Sequence, residues 1–182
     1  MRFLSGHPWP RVGLVAVILG TVGCWSGGPT APAAENGIEL LADEDYAPAL
    51  QRILGQARQS IDVTMFSCVL PKDAGPTHPV RKILDQLIAK AAAGVEVRVV
   101  LDRGIPPSRQ RPGDVAPSTV AASFLRDAGI AVRWDEDERT THSKSLVIDG
   151  RWCVVGSTNW TASALRHNRE QSLLCDSPEL AA

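Results

Sequence analysis

No cluster of histidines or cysteines in this 182-residue chain has the spacing of a metal site, and no cofactor is implied. No internal repeat is present, which argues against solenoids and propellers. Basic residues are not in excess: 19 Lys and Arg against 20 Asp and Glu give a net charge of −1. Without Arg2 and Arg11, the only charges before Glu35, the basic count falls to 17 and the net charge to −3. That balance is not the footprint of a tight duplex binder, so any nucleic-acid contact must come from local charge. Arg103, Arg109 and Arg111 in a Pro-rich loop, with Arg166 and Arg169, are the candidates. Cysteine is sparse and, beyond Cys24, odd in number: Cys68, Cys153 and Cys175 leave one thiol free even if two pair. Cys153 and Cys175 lie in apolar strand-like runs and read as ordinary core residues.

No apolar run is long enough to span a bilayer comfortably. Val12 to Gly23, behind Arg2 and Arg11, fits a secretory signal. Two endings are open. Cys24 can be a lipid-modified first residue that tethers the chain to a membrane, or Ala31-Pro32-Ala33 can supply a small-x-small cleavage site. Residues 25 to 36, rich in Gly, Pro and Ala, read as a linker. Residues 1–34 are therefore expected to be an export signal with its linker, and residues 35–182 one domain. The expected location is periplasmic, secreted or lipid-anchored at a bacterial membrane.

What is present is concentrated in one stretch. It reads His142-Ser143-Lys144-Ser145-Leu146-Val147-Ile148-Asp149, then six residues, then Gly156-Ser157-Thr158-Asn159. Asp149-Gly150 between two apolar runs signals a two-residue hairpin turn. If Ile148 pairs with Arg151, His142 faces Ser157 and Lys144 faces Val155. Residues at i and i+2 share a strand face, so the hairpin gathers an imidazole, an ammonium, a hydroxyl and a carboxamide at its open end. Asp149 lies about 23 Å from His142 along an extended strand and cannot touch the same ligand. It is expected to tolerate the turn's left-handed backbone and bond nearby amides.

The pattern His-x-Lys-x4-Asp-x6-Gly-Ser-x-Asn resembles the signature of the phospholipase D superfamily, with no departure at any fixed position. The resemblance covers most of the chain after residue 35. The single motif copy resembles the small bacterial endonuclease-like members, which pair two chains to build one site. Those members carry a Glu eleven residues after the motif Asn, which here is Glu170.

The resemblance implies a metal-independent phosphodiesterase, first of all a nonspecific endonuclease. The alternatives are a phospholipase D acting on phospholipid headgroups and an inactive or truncated membrane-tethered binding module. Neutral imidazole can attack phosphorus and form a covalent intermediate, which makes His142 the expected nucleophile. Lys144 supplies charge for the non-bridging oxygens, and Ser157 and Asn159 can donate hydrogen bonds to them. The resemblance puts Glu170 against the second ring nitrogen of His142 or at a partner-chain contact. It also implies a homodimer in which a second His142 serves as the acid for the leaving alcohol. His167 is a local competitor for that acid role and reads as an exposed residue. Asp149 and Gly156 are structural support. Trp160 and Arg103 are the candidate substrate contacts, although core packing is the default for Trp160. Asp135, Glu136, Asp137 and Glu138 read as a solvated loop.

Periodicity fills in the frame. Strands are expected at Ile38 to Ala42, Ser60 to Ser67, Val95 to Leu101, Ile130 to Trp134 and Arg169 to Cys175. Helices are expected at Tyr46 to Arg58, Pro79 to Ala93, Ser118 to Ala128 and, briefly, Thr161 to Arg166. Ser177-Pro178 reads as the start of a last helix that breaks off near the end of the chain. Alternating strands and helices predict an α/β fold, a mixed sheet with helices on both faces in one domain.

Overall fold

The computed structural model describes residues 37–104, 111, 113–136 and 139–182. The expected signal and linker, Cys24, Arg109, Asp137 and Glu138 lie outside them. The element order is β1 (Ile38–Ala42), a 3-10 turn at Asp43–Asp45, α1 (Tyr46–Gln56), β2 (Ser60–Met65), α2 (Pro79–Ala92), β3 (Glu96–Leu101), α3 (Thr119–Asp127) and β4 (Ala131–Trp134). Then come β5 (Lys144–Ile148), β6 (Trp152–Gly156), β7 (Gln171–Asp176) and the single turn α4 (Pro178–Ala181). Seven strands form one sheet in the order β1-β7-β6-β5-β2-β3-β4. The β2–β3 and β3–β4 pairs are parallel, and the other four pairs are antiparallel. The expected mixed α/β sheet in one domain is what the chain forms.

The connections β1–α1–β2, β2–α2–β3 and β3–α3–β4 step through the sheet in one direction. Right-handed crossovers therefore lay α1, α2 and α3 on one face, where the alternation of strands and helices predicts helices on both. The core occupies that face. Leu50, Ile53 and Leu54 of α1, Ile83, Leu84 and Leu87 of α2 and Leu125 of α3 pack over Val63, Val99, Leu146 and Val154. Each stripe repeats at three and four residues, so one helix side is apolar. Gly94 and Gly129, both at positive φ, follow α2 and α3 and let the chain turn into the next strand. On the opposite face Leu40, Leu173 and Val155 form a cross-strand row with 58%, 40% and 46% of their surface exposed.

Two further expectations are corrected. Thr161 to Arg166 is a run of turns, not a helix. Thr161 Oγ1 accepts the Ala164 N–H and Leu165 N–H reaches the Thr161 carbonyl, but the N–H groups of Arg166, His167 and Asn168 all converge on the Ser163 carbonyl, so the single turn does not propagate. The hairpin register is also shifted by one residue. Asp149 and Gly150 do take left-handed φ values of 54° and 60°, and Arg151 N–H donates to the Ile148 carbonyl at 3.0 Å. Pairing nevertheless begins with Ile148 opposite Trp152. Arg151 serves β7 instead: its guanidinium grips Asp176 at 2.5 and 2.6 Å, and its carbonyl accepts Ser177 N–H at 3.0 Å. A one-residue slip exchanges the faces of a strand. Ser145 therefore faces Val155, and Lys144 comes next to Gly156 rather than Val155.

Asp149 carries out the role the turn chemistry assigns it. Its carboxylate accepts N–H bonds from Arg58, Gln59 and Ser60 at 2.7 to 3.2 Å, and so fastens the hairpin tip to the α1–β2 turn. Burial alone raises its pKa, but the three backbone donors outweigh this and hold it below the ordinary 3.8.

Candidate active site

The parallel strands β1, β2 and β3 end on the same side as the open end of the β5–β6 hairpin. The motif residues other than Asp149 therefore collect at the carboxyl edge of the sheet, where open α/β folds bind ligands. Lys144 is buried at the start of β5, the strand paired with β2. His142 stands two residues earlier, exposed. Phe66, just past β2, organises both. Its ring centroid is 4.4 Å from that of His142 and 4.7 Å from Lys144 Nζ. Its N–H donates to the Ser143 carbonyl at 2.8 Å. Lys144 Nζ donates to the His142 carbonyl at 2.6 Å. Imidazole and ammonium thus flank one aromatic ring, and the ammonium loses little freedom if it also meets an anion.

Asp102, at the end of β3, holds the approach to His142. Its buried carboxylate accepts Gly104 N–H at 2.5 Å and Thr141 N–H at 2.7 Å. Thr141 also gives its hydroxyl to Asp135. Burial pulls the Lys144 ammonium below its ordinary pKa of 10.5, while the charges of Glu170 and Asp102 oppose the shift.

Ser157 and Glu170 form the second part of the site. Ser157 Oγ donates to one Glu170 oxygen and accepts Gln171 N–H at 3.1 Å. Asn168 Nδ2 donates to the other Glu170 oxygen at 3.0 Å. Asp43 completes the frame: it accepts Glu170 N–H at 2.8 Å, and its own N–H donates to the Glu170 carbonyl at 3.0 Å. The hydrogen bond from Arg169, with its charge, depresses the Asp43 pKa. Glu170 does not bond His142. Both its oxygens are committed to Ser157 and Asn168, and no hydrogen bond joins it to the imidazole among the described residues. Glu170 reaches Lys144 through its field rather than by contact.

Gly156 is glycine because β6 and β7 approach closely there. A Cβ would collide with Ser172 Oγ, Ser172 Cα and the Gln171 carbonyl. Asn159 contributes an amide whose Oδ1 is buried without a hydrogen-bond partner, an acceptor that only a donor could relieve, while its Nδ2 is the end able to donate to a phosphate oxygen. Trp160 is corrected: it is wholly buried, with its indole N–H donating to Tyr46 Oη at 3.1 Å, and touches no ligand space. Arg103 places its guanidinium 5.9 Å from the centroid of Trp134. His167 is exposed beside a cavity of about 220 Å³ lined also by Asp43, Arg166 and Arg169. A second cavity, about 430 Å³, is lined by Ala42, Ser157, Glu170 and Gln171. Among the described residues no group of three or more His, Cys, Asp or Glu side chains could hold a metal ion.

A family model described as "Cardiolipin synthase, PLD-like domain" matches residues 50–182, which include every residue of the site except those of the Ala42–Asp43 edge. The chain belongs to the phospholipase D superfamily. Human mitochondrial cardiolipin hydrolase is 33% identical over 136 residues, covering 75% of this chain and 46% of that protein. Phospholipase D of Rickettsia conorii is 31% identical over 99 residues, covering 54% of this chain and 45% of that protein. The chain thus spans about half the length of the curated relatives it matches. Among solved structures, Nuc of Salmonella typhimurium, a phospholipase D family member, superposes with a TM-score of 0.63 at 22% identity, covering 79% of this chain and 86% of that one. NucT of Helicobacter pylori gives 0.58 at 18% identity, covering 79% and 87%. These two likenesses concern the fold.

Phe66, Asp102, Asn168 and Asp43 are missing from the motif. Phe66 sits where a strand's alternation gives way to loop, and no spacing links it to His142. Asp43 alone carries a local signal in hindsight, a non-glycine residue at φ 49° between a strand and a helix.

Proposed function

We propose that this phospholipase D-like chain is an exported, metal-independent phosphodiesterase that works through a phosphohistidine at His142. The observation that carries the reading is the pairing of an exposed imidazole with a buried ammonium across the Phe66 ring. A neutral imidazole nitrogen attacks phosphorus, the alkoxide leaves, and water later cleaves the phosphorus–nitrogen bond. Lys144 and the Asn159 amide answer the charge that develops on the non-bridging oxygens. Ser157 and Glu170 border the pocket and set its field. The leaving alcohol needs a proton that the attacking imidazole cannot give at the same moment. His142 of the partner subunit, across a two-fold axis, is the proposed acid.

For the substrate, the exposed row Leu40–Leu173–Val155 favours a phospholipid headgroup. Strand alternation continues that row into Ala42, Gln171 and Ser157, which line the larger cavity, so an amphiphile would lie with its phosphate at the polar end. The cardiolipin hydrolase name of the relatives points the same way. Nucleic acid is the second reading, favoured by Arg166 and Arg169 around the neighbouring cavity. A turnover assay in EDTA with a short-chain phospholipid and a dinucleotide decides between them. Phospholipid cleavage that His142→Ala abolishes is expected. Cleavage of the dinucleotide alone would move the assignment to a nuclease, and loss of all turnover in chelator would defeat the metal-independent mechanism.

A further inference from the structure

The two remaining strand cysteines stand directly across from each other. Cys153 of β6 pairs with Cys175 of β7, and both are free thiols. Ser157 N–H donates to the Gln171 carbonyl and Ser177 N–H to the Arg151 carbonyl. Counting inward by twos from either bond makes Cys153–Cys175 a hydrogen-bonded pair of the ladder. In such pairs the Cα atoms lie roughly 5.5 Å apart, inside the 4.4–6.8 Å range that disulfides bridge. Facing Cβ atoms, at roughly 4.5–5.5 Å, are wider than the 3.5–4.5 Å a disulfide prefers. The two strands must pinch together to close the bond, so it should be strained and easily reduced. Cys153 is partly accessible and Cys175 is buried, while Cys68, sealed in the core, is out of reach of both.

We propose that Cys153 and Cys175 form a reversible cross-strand disulfide, a modification site supplied by small-molecule or protein disulfides. The Cys153 thiolate attacks one sulfur of the donor, forming a mixed disulfide and releasing one thiolate. Cys175 then gives up its proton and attacks Cys153 Sγ, displacing the second donor thiolate. The protein loses two electrons and two protons, and the donor disulfide becomes two thiols. Burial, reinforced by the neighbouring Cys175, holds the Cys153 thiol above its ordinary pKa of 9.0, so the first step should quicken as pH rises towards that value. The bond would tie the strand that leads to Ser157 to the strand that leads from Glu170, with Ser157 and its partner Gln171 four residue pairs beyond the thiols.

The test treats the reduced full-length protein with oxidised glutathione, blocks free thiols by alkylation and maps the peptides. A Cys153–Cys175 linked peptide is expected, with Cys68 alkylated only after denaturation. Reduced glutathione should then reopen the link. Cys175→Ser should stop at a glutathione adduct on Cys153, and Cys153→Ser should leave Cys175 unmodified in the folded protein. A folded wild type that yields only separate adducts or two free thiols would overturn the proposal, as would a glutathione adduct on Cys175 forming just as fast in Cys153→Ser.

Discussion

Phe66 is the residue on which the geometry turns. It sets the spacing between imidazole and ammonium without touching phosphate, so it is a positioning residue. Phe66→Ala should leave the fold intact and lower kcat by about 10²-fold, the cost of about an ångström of misplacement. Phe66→Tyr, which keeps the ring, should recover most of that loss; stopped assays on both variants, with circular dichroism as a fold control, check this. In the proposed mechanism Lys144 sets the alkaline limb of activity. Its ammonium is the functional form and its pKa lies below 10.5, so activity should fall as pH rises through that lowered value. Asp102 opposes the lowering. Asp102→Asn should therefore move the limb to lower pH, as well as loosening Thr141. A pH–rate profile in which Asp102→Asn leaves the limb where it was would remove Asp102 from the site's electrostatics.

At the scale of elements, the hairpin is fixed at both ends by residues of the motif, but for reasons unrelated to phosphate. Asp149 binds the turn before β2 and Gly156 lets β7 approach. Asp149→Ala removes a charged acceptor from three N–H groups and should cost about 2–3 kcal/mol by urea unfolding. Its depressed pKa makes that stability present above an unfolded value near 3.8 and lost as pH falls through the lower folded value. The wild-type advantage over Asp149→Ala should therefore shrink in acid. Gly156→Ala should destabilise more than an ordinary strand substitution, because the clash is with backbone. The strands and three long helices are legible because their apolar periods are long, and glycines close α2 and α3. The hairpin register was not, because Asp-Gly specifies the turn but not Arg151, whose partner Asp176 is 25 residues away. The Thr161–Arg166 turns are not legible either, because one helical turn forms and then stops where three N–H groups share the Ser163 carbonyl. Within the site, spacing singles out His142, Lys144, Ser157 and Asn159, but the shifted register takes Ser157 off the position opposite His142. Spacing could not reveal Phe66, Asp102 or Asn168, which long-range pairing brings in; of the two partners the resemblance implies for Glu170, the imidazole of its own chain is not the one it bonds, because Ser157 and Asn168 hold both oxygens. Trp160 was ambiguous by type, and only its bond to Tyr46 decides for the core.

For the whole molecule, the core and the working edge are separate. Three helices seal one face, while the exposed His142 and the cavities open at the carboxyl ends of the parallel strands. Leu84→Ala, deep under α2, should cost about 2–5 kcal/mol and leave the chemistry of surviving folded molecules unchanged. In the proposed mechanism a complete reaction cycle on one motif copy draws on two chains. Sedimentation should find a dimer whose dissociation on dilution parallels the loss of turnover; a fully active monomer would require an acid within one chain, with His167 the first to mutate. The most direct measurement of all is a rapid quench with phosphorus-labelled diester in chelator, followed by mapping of the label under alkaline conditions that preserve phosphoramidates. The label is expected on the peptide bearing His142 and absent from His142→Ala; turnover of the diester with no label on any histidine would contradict a covalent mechanism at this site.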